Sequence, residues 1–150
     1  MMKEKLLISA CLLGSPCRYD GGAKGVSQVE TLRERFALVP VCPEVLGGLP
    51  IPRSPAERQG ECIVNSEGRD VTHEYRLGAE KALAIARENG CVRAVLKERS
   101  PSCGHGTIYD GTFTGTLTAG DGVTARLMRQ NGIAVYGESE LDALLGEAER

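Results

Sequence analysis

Lys5-Leu6-Leu7-Ile8-Ser9-Ala10, followed at once by Cys11 and then by Gly14-Ser15-Pro16, decides how this chain is read. An apolar run without polar alternation suits a strand buried on both faces, and the Gly-Ser-Pro turn signal stops it. Cys11 therefore falls at the carboxyl end of a buried strand. Phe36-Ala37-Leu38-Val39-Pro40-Val41 repeats the pattern and runs into Cys42-Pro43-Glu44, its prolines marking a strand that emerges onto a loop. Cys91-Val92-Arg93-Ala94-Val95-Leu96 is a third such strand, and the loop after it carries Ser100-Pro101-Ser102-Cys103-Gly104. Each of the three strands thus leads into a cysteine.

Between them, residues 45–70 are rich in Gly, Pro, Arg and Ser and lack a helical period. They read as a long functional loop, with room for a hairpin around Cys62-Ile63-Val64 and Gly68. Val71, Tyr75, Ala79, Ala82, Leu83 and Ala86 recur at helical spacing, with Asp70 as the expected N-cap and Gly90 as the stop. Asp110-Gly111 is a turn between short β segments, residues 120–131 a helix ended by Gly132, residues 133–136 a last strand and residues 138–149 a last helix. This alternation predicts an α/β fold: a single three-layer, Rossmann-like domain over residues 1–150, with a mostly parallel sheet and helices on both faces. Ligands of such sheets bind beyond the carboxyl ends of the strands, where the three cysteines fall.

A chain of 150 residues that is 41% hydrophobic supports one core. Its net charge of −2 and its 4% aromatic content leave no footprint for duplex nucleic acid or an anionic membrane. No apolar run reaches spanning length and no export signal precedes the six cysteines, so the protein is expected in the cytoplasm with its thiols reduced. Metal ligation or thiol chemistry then becomes the expected use of cysteine.

Cys11, Cys42 and Cys103 are the informative set, because residues far apart in sequence converge if they cap neighbouring strands. Thiolates on Gly-rich loops suit an iron–sulfur cluster, whose sulfides accept backbone N–H bonds, and three ligands leave one iron of a cubane open. The bland alternative is a buried thiol acting as a small hydrophobe, and it fits Cys91 and Cys62 better. Cys17 is either a further ligand or a nearby free thiol. No CxxC pair is present, so zinc would need dispersed ligands. His73 lies on the expected helix and reads as solvent-facing; His105, beside Cys103, stays a candidate. Glu44 and Ser100, with Ser102 as competitor, would reach the same place and could move or relay a proton. Cys17-Arg18-Tyr19-Asp20-Gly21-Gly22-Ala23-Lys24 could bind an anion or form a turn, and Arg53 and Arg58 could face substrate or solvent.

Three motifs taken together are more specific than any one: Ile8-Ser9-Ala10-Cys11-Leu12-Leu13-Gly14 with Cys17-Arg18-Tyr19-Asp20-Gly21, Pro40-Val41-Cys42-Pro43-Glu44 with Gly47-Gly48-Leu49-Pro50, and Ser100-Pro101-Ser102-Cys103-Gly104. In that order they resemble the thiouracil desulfurase family over nearly the whole chain. The resemblance implies an oxygen-sensitive [4Fe–4S] cluster on three cysteines, matching Cys11, Cys42 and Cys103. It further implies non-redox removal of sulfur from a thiolated nucleobase, with Glu44 and Ser100 as the catalytic acidic residue and serine. The expected partner is a small thiolated base. Two rival classes use the same cysteines: a zinc or thiol binding module, and a sulfur carrier or sulfurtransferase.

Overall fold

The computed structural model describes residues 3–14 and 28–148. Its main sheet has four strands: β1 (Glu4–Ser9), β2 (Phe36–Val41), β5 (Arg93–Leu96) and β8 (Ala134–Gly137). They are all parallel, in the order β2-β1-β5-β8. Successive side chains of a strand point to opposite faces. Leu7 of β1 accordingly joins Ala94, Leu96 and Val135 on one face of the sheet, whereas Leu6 and Ile8 join Val95 and Tyr136 on the other. Helices α3 (Thr72–Glu88) and α4 (Val123–Gln130) cover the first face through Ala82, Leu83, Ala86, Ala125 and Met128. Helices α1 (Val29–Arg35) and α5 (Leu141–Ala148) cover the second through Leu32, Leu141 and Leu144. The result is the three-layer α/β architecture expected from the alternation.

From β1 the chain moves outward to β2, then crosses back past β1 to β5 and β8. The strand order therefore reverses between β1 and β5, and a crevice opens beyond their carboxyl ends. Strand β2 lies at the edge of the sheet and has no partner on its outer side among the described residues, which suits Pro40.

Two antiparallel hairpins lie outside this sheet, β3 (Ala56–Gln59) with β4 (Cys62–Asn65) and β6 (Thr107–Tyr109) with β7 (Leu117–Ala119). The first adds paired strands to the stretch read as a long loop; β4 falls on Cys62-Ile63-Val64, where the sequence left room for a hairpin, and the turn at Gly68 brings Asp70 back against Val64. A short helix α2 (Pro43–Leu46) also starts there, with proline at its first position, where the missing N–H costs nothing. Helix α3 begins one residue later than expected: Val71 is its N-cap, while Asp70 accepts the Thr72 N–H at 2.8 Å. Gly90, at φ 67°, ends it as expected. Residues 138–140 form a 3-10 turn ahead of α5 rather than its first turn. None of the described helices is long and apolar enough to cross a membrane.

Candidate active site

A cavity of about 460 Å³ opens at the carboxyl ends of β1, β2 and β5. Cys11, Cys42, Cys103, Glu44 and Ser100 all line it, so the structure brings the proposed site residues together. Cys11 arrives on a 3-10 turn (Ala10–Leu13) that directly follows β1, and Gly14 closes that turn at φ 93°. Cys42 is the N-cap residue of α2, which places Glu44 in the first turn of the same helix.

Cys103 is pinned from behind. The first amides of α4 bond the preceding loop, Val123 N–H to the Pro101 carbonyl at 2.9 Å and Thr124 N–H to the Ser102 carbonyl at 2.7 Å. These helix-terminal donors lack intrahelical partners, and the cysteine loop supplies them. Ser100 Oγ accepts the N–H groups of Ser102 at 3.0 Å and Cys103 at 3.2 Å, and it also lines the cavity. Ser102 is fully buried, bonds Thr124 Oγ1 at 2.8 Å and is not a lining residue. Of the two serines, only Ser100 reaches the cavity. Burial pushes the Cys103 thiol well up and the Glu44 charge adds to this, against its hydrogen bonds with Ser9 and Ser102.

The Glu44 carboxylate is gripped through one oxygen. Arg53 donates to Oε2 from Nε at 3.1 Å and from Nη2 at 2.8 Å, and Tyr75 OH donates to the same atom at 3.0 Å. The pair is well covered, with the Arg53 side chain 6% exposed and that of Glu44 16%. Burial disfavours the guanidinium charge, yet Glu44 beside it holds Arg53 above its ordinary value. Burial and then Glu44 drive the Tyr75 phenol far up, so Tyr75 acts as a donor throughout the working range. Removing one member of a covered ion pair strands the other charge at a cost of about 3–5 kcal/mol. Arg53 thus serves as a holder of Glu44.

The position of α2 depends on two glycines. A Cβ on Gly78 of α3 would lie 1.8 Å from the Pro43 carbonyl oxygen, and one on Gly47 would lie 1.9 Å from that of Glu74. No other residue lets the two backbones approach so closely.

Other candidates fall elsewhere. Arg58 staples the β3–β4 hairpin, with Nη1 2.6 Å from the Asp121 carbonyl and Nε 2.9 Å from that of Gly60. His105 lies outside the cavity, its Nε2 3.5 Å from Glu140 Oε1 and its Nδ1 3.9 Å from Asp121 Oδ1. His73 is exposed on α3, Cys62 is exposed on β4, and Cys91 is buried in the core. Cys17 and the Arg18 to Lys24 segment lie outside the described residues. The role of Tyr75 was missed because its spacing reads as core, although a buried phenol needs a partner and that need was the available signal.

Buried parallel strands, three cysteines at their ends and a carboxylate among them define a three-layer α/β protein with a thiol-lined site. Residues 6–140 match the 2-thiouracil desulfurase family, and the chain belongs to it. The uncharacterized protein YbbK of Bacillus subtilis (strain 168) is 43% identical over 150 residues, spanning 93% of this chain and 99% of YbbK. The solved structure of the [4Fe-4S]-dependent thiouracil desulfidase TudS matches with a TM-score of 0.93 at 49% identity, covering 98% of this chain and 99% of that one.

Proposed function

We propose that the protein removes sulfur from a thiouracil-like base, replacing C=S by C=O and releasing sulfide, with a [4Fe–4S] cluster held by Cys11, Cys42 and Cys103. The observation that carries this reading is the convergence of three thiols, from three strand ends, on the cavity that also holds Glu44. Three thiols with no CxxC pair are the donor set of a cubane with one iron left open, whereas a structural zinc site takes four closed ligands.

When bound, the cluster supplies a soft Lewis acid that prefers a thiocarbonyl sulfur to a carbonyl oxygen. Glu44 then handles the proton. Its Oε2 is committed to Arg53 and Tyr75, so Oε1 accepts the proton of a water aligned on the ring carbon. The oxygen of that water stays on the ring and its two protons leave with the sulfide, so no electron is gained or lost. Ser100, whose Oγ already accepts two loop N–H groups, has its hydroxyl proton available to the bound base. Residues 1–150 are read as one Rossmann-like domain that acts in the cytoplasm on a small thiolated base, without duplex nucleic acid or a membrane; the net charge of −2 supports this.

The test uses protein prepared without oxygen and measures iron, acid-labile sulfide and sulfide release from 2-thiouracil. C11S, C42S and C103S are each expected to lose the cluster, and C91S to keep it. E44Q should retain iron while losing roughly 10²- to 10⁴-fold in turnover, the usual span for a positioned general base. Full iron loading in any of the first three variants, or an absolute need for reductant during turnover, overturns the reading.

A further inference from the structure

Two non-glycine residues among those described hold a positive φ, Arg99 at 70° and Phe113 at 59°, and both line the cavity. A bulky side chain adopts that conformation only where its surroundings over-determine it, and such residues gather at ligand sites. Phe113 is scarce material left in the open. The chain has two Phe, four Tyr and no Trp, yet this ring is 37% exposed and joins none of the three apolar clusters.

Its conformation is enforced from both sides of the loop. The buried Glu57 of β3 accepts the N–H groups of Gly111 at 2.9 Å and Phe113 at 3.2 Å through Oε1. Gln59 Nε2 holds the Gly111 carbonyl at 2.8 Å, and a Cβ on Gly111 would lie 2.8 Å from the Arg58 carbonyl oxygen. On the outer side, hydroxyls run from Thr112 to Thr114 at 2.6 Å and from Thr114 to Thr116 at 2.8 Å. One hairpin thus carries the carboxylate that fixes the aromatic ring of the other at the cavity.

We propose that Phe113 is the stacking face for the pyrimidine ring of the substrate, and that Glu57 is a positioning residue that holds it there. The proposal rests on the desulfuration reading for the identity of the ring. A planar heteroaromatic ring offers a face to an aromatic side chain whatever its substituents, so the stack recognises the ring and leaves sulfur to the thiol-lined end of the cavity. The substrate class that follows is a free, flat thiopyrimidine, entering edge-first with one face on Phe113.

The experiment measures the calorimetric Kd of uracil, which has no sulfur to react, and KM and kcat for 2-thiouracil, all on cluster-loaded protein. F113A is expected to raise both Kd and KM by roughly 5- to 150-fold, the range a base–aromatic stack contributes, with a smaller change in kcat. F113Y should restore most of the loss. E57A should weaken binding in the same way, E57Q should recover it because its amide oxygen accepts the same two N–H groups, and E57A should add little on top of F113A. Unchanged Kd in F113A, no rescue by F113Y, additive losses in the double variant, or no uracil binding by the wild type would each overturn the proposal. Uracil binding without sulfide release from 2-thiouracil would instead overturn the desulfuration reading while leaving the stack measured.

Discussion

Gly78→Ala tests whether α3 sets the position of the Glu44 carboxylate. The new Cβ would lie 1.8 Å from the Pro43 carbonyl oxygen and 2.7 Å from its carbon, where ordinary contact begins at 3.4 Å, so α2 must retreat by about 1.6 Å. Both contacts are backbone, and no rotamer change relieves them. Overpacking of this kind costs about 1–3 kcal/mol, while alanine in a helix interior returns about 1 kcal/mol relative to glycine. The net loss of stability is therefore about 0–2 kcal/mol, too little to unfold most domains of this size. Catalysis should suffer more. A misplacement of about 1 Å costs on the order of 100-fold, and α2 carries Glu44 as well as following directly from Cys42. Sulfide release, iron content and Tm measured on the same preparation separate the effects: turnover should fall about 100-fold with the fold intact. Turnover within about threefold of wild type, alongside a normal Tm, would refute the idea that this contact aims the carboxylate.

Gly146→Ala is the contrasting variant, since a Cβ at that exposed position of α5 meets nothing within 4 Å, and a gain of about 0.5–1 kcal/mol in chemical denaturation is expected with sulfide release unchanged. Tyr75→Phe keeps the ring packed with Ile63 and Val71 but removes the third donor to Glu44 Oε2; it should lower kcat about 10-fold or more with iron content retained, in line with the 1.5–3 kcal/mol of a hydrogen bond to a charged group. Asp110 is held below the ordinary carboxyl range by the Thr112 hydroxyl and N–H, so its contribution is present above that range and is lost as pH falls through the depressed folded value. Denaturation of wild type and D110N as a function of pH should therefore differ near neutrality and converge in acid.

The buried strands were legible because residues such as Leu6, Leu7 and Ile8 face helices on both sides, which demands an unbroken apolar run. The convergence of the cysteines followed from strand ends alone. The β3–β4 hairpin was not fully legible: Ala56 to Gln59 carries two charged residues in four, and Arg58 and Glu57 are committed to partners far along the chain rather than to an apolar face. Helix α2 was hidden for a different reason. At four residues it lacks a period to detect, and its docking depends on glycines at 47 and 78 that read as breakers in isolation. A glycine inside an otherwise regular helix usually lowers the expectation of helix, yet here its missing side chain is the contact.

The residues that hold the carboxylate come largely from outside the three cysteine motifs. Tyr75 and Gly78 belong to α3, a helix whose spacing suggests nothing beyond core packing, yet one fixes the oxygen that Glu44 keeps occupied and the other fixes where α2 rests. Arg53 completes the grip from the segment between α2 and β3. Cys11 and Cys103 stand on other elements, so a change confined to the α2–α3 contact displaces the carboxylate relative to two of the three cysteines. Only Cys42, at the start of α2, moves with it. A side chain at position 78 should therefore lower iron content along with turnover, because Cys42 shifts with the carboxylate, whereas E44Q leaves the cysteines in place and should lower turnover alone; comparing iron content in the two variants separates the ligand from the carboxylate.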